Sequence, residues 1–193
     1  TDENERRFYG SNPIFIFDPK NDANRPMSGI HTNAIRRWPL FPKFIHDEFI
    51  HAFGSEGIHE PAKRKPENEW QKLFVQLRDE MVKCSCGGET FIDHSAAQST
   101  CINCKRKLDK PLIMKIGRNK LVMYPGQKSY VCHTKSGSDD FTTVTGEVIQ
   151  NKNNPNLWGL RNLSPDTWLC TMPDGTPKNV NNNEVVPVFK EVK

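Results

Sequence analysis

The chain has 193 residues, 35% of them hydrophobic and 26% charged, with a formal net charge of +4. Its longest apolar run, Ile14 to Phe17, excludes a membrane-spanning helix, which needs about 20 successive apolar residues. Four Trp, three Tyr and eleven Phe exclude a fully disordered chain. Basic residues are scattered among 23 acids, so nucleic acid is not the expected partner; the one concentrated run is Lys105-Arg106-Lys107. Apolar residues come in short clusters, which predicts several small cores.

The opening stretch, TDENERRFYG, has neither a signal-peptide core nor an initiator Met, and reads as the start of a fragment or a processed chain. Without a secretion signal, closely paired cysteines point to a reducing, cytoplasmic setting and to a metal.

Two helices are predicted, near residues 42–53 and 66–83. In the first, Phe41, Ile45, Phe49 and Phe53 recur at helical spacing with Ala52 beside them, and Pro42 suits the first turn. In the second, Trp70, Leu73, Phe74, Leu77 and Met81 form an apolar stripe. Pro66, Glu67 and Glu69 mark its start. The stretch GSEGIHEPAKRK between them reads as a loop.

Residues 84–108 hold four of the six cysteines. Cys84 and Cys86 form one knuckle, Cys101 and Cys104 the other, and Gly87 and Gly88 follow the first pair where the backbone must turn. Four thiolates at this spacing suit a closed tetrahedral Zn²⁺, with a short hairpin expected between the knuckles. The site is therefore expected to be a structural zinc ribbon. His94 is the competing ligand. Cys132 and Cys170 are expected as two buried thiols. In VCH, Cys132 and His133 would point to opposite faces of a strand, so no nucleophile pair is expected.

From residue 111 onward the texture becomes strand-like. LIMKI, LVMY, SYVCH, TTVTGEVI, TWLCT and EVVPVF are separated by YPGQ, SGSDD, NKNNPN and MPDGTP. This predicts a small antiparallel sandwich or barrel over 111–193. Asp139 and Asp140 read as a solvated turn. Phosphate-cradling glycine loops, G-x-S-x-G and H-E-x-x-H are all absent from the sequence.

Three stretches carry a resemblance: RRFYGSNPIFIFDPKNDANRP, RRWPLFPKFIHDEFIHAFG and EPAKRKPENEWQKLFVQL. In this order they resemble the end of a protein-kinase C-lobe, with Arg64 in the place of the loop arginine that pairs with the Ala-Pro-Glu glutamate, Pro61 ahead of it and Trp70 in the last helix. With CSCGGETF…CINC following, the chain resembles the C-terminal part of the bacterial Ser/Thr kinases linked to tellurite-resistance (TerY-type) gene clusters. That resemblance implies a kinase core, a companion PP2C-like phosphatase and a von Willebrand A-domain protein as partners. It also places ATP and Mg²⁺ in an upstream catalytic portion. The Gly-rich loop, strand lysine, His-Arg-Asp and Asp-Phe-Gly are absent, so no catalytic residue carries over.

The last segment resembles an FHA domain, which implies phosphothreonine recognition. It departs at Gly146, which is followed by Glu147 where the family has arginine. Arg161, Asn162 and Ser164 form the polar cluster available to a partner; protein docking and intramolecular packing stand as alternatives to phosphothreonine binding. The expectation is therefore an α+β multi-domain chain: kinase tail (1–83), zinc ribbon (84–108) and FHA-like sandwich (111–193). Its role would be regulatory and scaffolding. The alternative is a nucleic-acid-binding zinc-ribbon protein.

Overall fold

The computed structural model describes residues 2–92, 99–109, 111–117 and 119–188. His94 lies outside the described residues. Mixed helices and several small antiparallel sheets make an α+β fold. The chain opens with α1 (Asp2–Glu5), a π-helical turn (Arg6–Ser11), α2 (Thr32–Arg37) and a 3₁₀ turn (Trp38–Leu40). Between residues 2 and 41, Asp18 is the one described side chain that is buried. Its carboxylate accepts the Lys20 N–H at 2.8 Å and the Ser55 N–H at 2.6 Å, tying this segment to the end of the next helix.

That helix, α3, spans Lys43–Phe53, with Pro42 as its N-cap and Gly54 as its C-cap. Ile45 and Ala52 are buried, as the apolar face predicts. A 3₁₀ turn (Pro61–Lys63) leads to α4 (Glu67–Asp79). Trp70 packs edge-on to Phe49, with centroids 5.2 Å apart, and stacks on Phe53 and Phe74. Trp38 stacks on Phe17 at 4.5 Å and meets Phe49, so one aromatic ladder runs from the N-terminal segment to α4.

The expected helix to residue 83 is four residues too long. It stops at Asp79, and Met81 enters strand β1 (Met81–Lys83), which pairs with β2 (Glu89–Phe91). Leaving the helix here lets Val82 join Ile92 and Val122 in a small core with Leu108 and Tyr124 against it. Phe74 is half exposed, so the stripe ends on the surface.

Beyond it come β3 (Leu112–Ile116), β4 (Asn119–Met123), β5 (Lys128–Tyr130), α5 (Val131–Thr134), β6 (Val144–Gln150), β7 (Trp158–Asn162), β8 (Trp168–Thr171), β9 (Pro177–Val180) and β10 (Val185–Val188). Where the sequence predicts a sandwich, the strands form one four-stranded antiparallel sheet, ordered β10-β7-β6-β5, and two hairpins, β3-β4 and β8-β9. The β8-β9 hairpin reaches the sheet through Trp168. A Cβ on Gly146 would stand 2.9 Å from its ring and 2.8 Å from Ser129 Oγ, so glycine is required at that contact. SYVCH does not continue as one strand. After Tyr130 it turns into α5, where the Tyr130 N–H donates to His133 Nδ1 at 3.0 Å.

His133 also fastens the β region to α4. Its Nε2 lies 2.8 Å from Asp79 Oδ2, and both side chains are buried. Because Nδ1 accepts from backbone, Nε2 carries the proton and donates to Asp79. Arg78 stacks over the Tyr130 ring at 4.1 Å beside this pair.

Candidate metal centre

Each cysteine pair sits in a tight turn built by backbone hydrogen bonds. At the end of β1, the Cys84 N–H donates to Gly88 O and the Gly87 N–H to Cys84 O, both at 2.8 Å. Gly87 has φ +81°, a conformation that a side chain opposes. In the second turn, the Cys101 N–H donates to Arg106 O at 2.8 Å and the Lys105 N–H to Cys101 O at 3.0 Å. Lys105 takes the left-handed conformation there, with φ 62°. The Thr100–Lys107 bridge closes that turn as a minimal hairpin. Each knuckle is thus itself a hairpin turn; the hairpin expected between them falls on a stretch whose residues 93–98 lie outside the described residues.

The turns face each other. The Ile102 N–H donates to Thr90 Oγ1 at 3.1 Å, and Arg106 donates to Ser85 Oγ. Four Sγ atoms, from Cys84, Cys86, Cys101 and Cys104, all lie within 4.8 Å of one another. Cys84 to Cys104 and Cys86 to Cys101 are each 3.7 Å. A tetrahedral ion with 2.3 Å metal–sulfur bonds requires sulfur–sulfur edges of about 3.8 Å, so the cluster fits such an ion.

The electrostatics also call for a cation. Backbone N–H groups of Cys104 and Asn103 point at Cys101; against the opposing effect of burial they hold its thiol down to about 6. The Gly88 N–H, 3.4 Å away, lowers Cys86. Cys104 goes the other way, up to about 11: the Arg106 N–H favours its thiolate, but the sulfurs of Cys86 and Cys101 and burial outweigh it. Four thiolates repel one another until a metal supplies the missing positive charge. Gly88 admits this crowding, since a Cβ there would lie 3.2 Å from Cys101 Sγ and 3.3 Å from Cys86 Sγ.

The other residues singled out in the sequence are dispersed. Arg64 Nε donates to Gly57 O at 3.0 Å and Nη2 to Ile58 O at 2.7 Å, so its guanidinium braces its own loop. Arg161 and Glu147 are paired across β7 and β6, 3.7 Å apart, on the sheet surface. Asn162 and Ser164 do not face a partner. Asn162 is fully buried, donating to Val180 O at 2.9 Å and Asp166 O at 2.7 Å and accepting the Ser164 N–H at 2.8 Å. Ser164 Oγ in turn accepts from Trp168 Nε1 at 3.1 Å. The polar cluster is a packing hub that joins β7 to the β8-β9 hairpin. Its sequence signal was the alternation of WGLRN, which puts Asn162 on the inward side with Leu160.

Cys132 and Cys170 are half-buried, not fully buried. Cys132 and His133 share a helical turn rather than a strand, and both nitrogens of His133 are engaged, so no nucleophile–base pair forms. Asp140 lies in a turn, accepting N–H groups of Thr142 and Thr143, while Asp139 is paired with Lys72. Among the described residues, no helix is long and apolar enough to cross a membrane. The chain matches no protein-family model, no curated protein and no solved structure.

Proposed function

We propose that this chain is the non-catalytic C-terminal segment of a bacterial Ser/Thr protein kinase, in which a structural Zn²⁺ joins a helical C-lobe tail to a protein-docking β unit. The observation that carries this reading is the four-sulfur cluster directly after two aromatic-faced helices whose connecting loop Arg64 braces. Zinc is the ion best suited to four thiolates at this spacing, and a closed four-sulfur shell leaves no position for catalysis. Tyr9, Met27 and Ile30 are exposed on the N-terminal segment, an apolar surface consistent with packing on a kinase core. The β unit would dock the kinase core, a companion phosphatase or a von Willebrand A-domain protein in the cytoplasm. With Asn162 and Ser164 turned inward, Arg161 is what remains of a phosphothreonine site, and Glu147 already neutralises it.

The competing reading, a nucleic-acid-binding ribbon, has Lys105, Arg106 and Lys107 on the surface. Lys105 Nζ, however, donates to Ile102 O and Arg106 to Ser85, so two of the three are engaged within the ribbon. The basic run adjoins the second knuckle in sequence.

The test is the intact mass, metal content and ATP-dependent phosphotransfer of the complete gene product. A longer product with one zinc per chain and kinase activity supports the proposal. A product without a kinase portion overturns it. Steeply salt-dependent oligonucleotide binding by that product would favour the ribbon reading.

A further inference from the structure

The two 3.7 Å sulfur–sulfur edges share a pattern. Each runs from one knuckle to the other, and each pairs a buried cysteine with an exposed one: Cys84 with Cys104, and Cys101 with Cys86. An oxidant arriving from water meets Cys86 and Cys104. Behind each stands a second sulfur that is screened from the oxidant but within reach of its neighbour. We propose that the cluster is also a peroxide-sensitive modification site, at which a hydroperoxide closes Cys84–Cys104 and Cys86–Cys101 disulfides and the metal is released. This rests on the metal-centre reading above.

The chemistry balances. The Cys104 thiolate attacks one oxygen of hydrogen peroxide; the O–O bond breaks, hydroxide leaves, and the sulfur becomes a sulfenic acid. The Cys84 thiolate attacks that sulfur; the S–S bond forms, the S–O bond breaks, and a second hydroxide leaves. Cys86 and Cys101 react in the same way. Each pair gives two electrons to one peroxide, so about two peroxides consume the four thiolates. Four protons convert the hydroxides to water. The ion leaves because the thiolate, not the disulfide, is its ligand.

Release does not open the ribbon. Both disulfides join the same two turns that the ion joins, and closing those loops restrains the unfolded chain. An ionic staple is exchanged for a covalent one.

The test uses the full chain carrying Cys132→Ser and Cys170→Ser, which removes the two thiols outside the cluster. Zinc is measured first. Hydrogen peroxide is then titrated in while zinc release is followed with a chromogenic chelator. No Lys or Arg lies between Cys84 and Cys104, so trypsin keeps all four cysteines on one peptide. Cleavage at Asp93 separates the knuckles, and electron-based fragmentation assigns the bonds. The expected result is one zinc released for about two peroxides, the two knuckle-halves linked as Cys84–Cys104 and Cys86–Cys101, and recovery with dithiothreitol and zinc. Cys104→Ser should leave Cys86–Cys101 as the one disulfide formed.

Zinc retained under peroxide overturns the proposal and leaves the metal reading standing. Bonds within a knuckle, Cys84–Cys101 and Cys86–Cys104 bonds, or irreversible sulfinic acids also overturn it. A chain purified without zinc overturns both readings.

Discussion

The cysteine ribbon and the four-stranded sheet meet the same difficulty, too little apolar burial, by different means. Around the ribbon, Val82, Ile92 and Val122 make a three-residue core with Leu108 and Tyr124 against it, and the other buried side chains among the described residues of 81–108 are Cys84 and Cys101. The sheet and the β8-β9 hairpin bury Val148 and Val180, and with them a carboxamide, Asn162, whose hydrogen bonds reach the β7–β8 connection and β9. A metal staple holds only while the metal is bound; a satisfied amide hub holds unconditionally, provided every partner stays in place. The two halves of the chain should therefore fail under different insults.

On the proposed zinc reading, the largest effect should come from removing the metal. Structural zinc contributes about 10–16 kcal/mol in zinc-finger peptides, so chelation or Cys101→Ser should unfold residues 81–108. In hydrogen exchange, Ile92 and Leu108 amides should lose protection while the amides of Val148 and Asn162 keep theirs. Equal loss in both would break the contrast. Asn162→Ala should do the reverse. It leaves the Ser164 N–H without its side-chain acceptor and takes one donor each from the Val180 and Asp166 carbonyls, which costs roughly 3 kcal/mol, read as a lower urea midpoint for the sheet with zinc content unchanged.

A smaller effect sharpens the ribbon side. Gly88→Ala places a methyl against two sulfurs, and zinc affinity should fall about tenfold, or about 1.4 kcal/mol, in a chelator competition. The smallest lies in the turn before β6. The Thr143 hydroxyl and the Thr143 and Thr142 N–H groups hold the Asp140 carboxyl down to about 2 from 3.8. Since the folded value is depressed, the stabilisation is present above about pH 4 and lost as pH falls through about 2. The Thr143 amide resonance should titrate near the lower value, and Asp140→Asn should abolish that step.

Much of this was legible in the sequence, for identifiable reasons. Helix α3 and the four-sulfur set follow from local spacing, and both appear with nearly the expected residues. The end of α4 was not legible, because the apolar stripe runs on through Met81 while Val82 is claimed by a strand partner and a core elsewhere in the chain. SYVCH reads as strand by composition, but its β-branched residue yields to the His133–Asp79 bond, a pairing across 54 residues. Asn162 looked like a surface contact although the alternation of WGLRN sets it on one face with Leu160; the partner that buries it, Val180, comes from a hairpin that local spacing does not locate.

The placement of the tryptophans has a practical consequence. Trp38 and Trp70 both belong to the aromatic ladder of the helical half, and Trp158 and Trp168 both belong to strands of the β half. His46 lies 4.4 Å from the Trp38 ring, a close quencher. The chain thus carries two native fluorophore pairs, one on either side of the sulfur cluster. Substituting Phe for one pair at a time gives each half its own optical readout, without an added label.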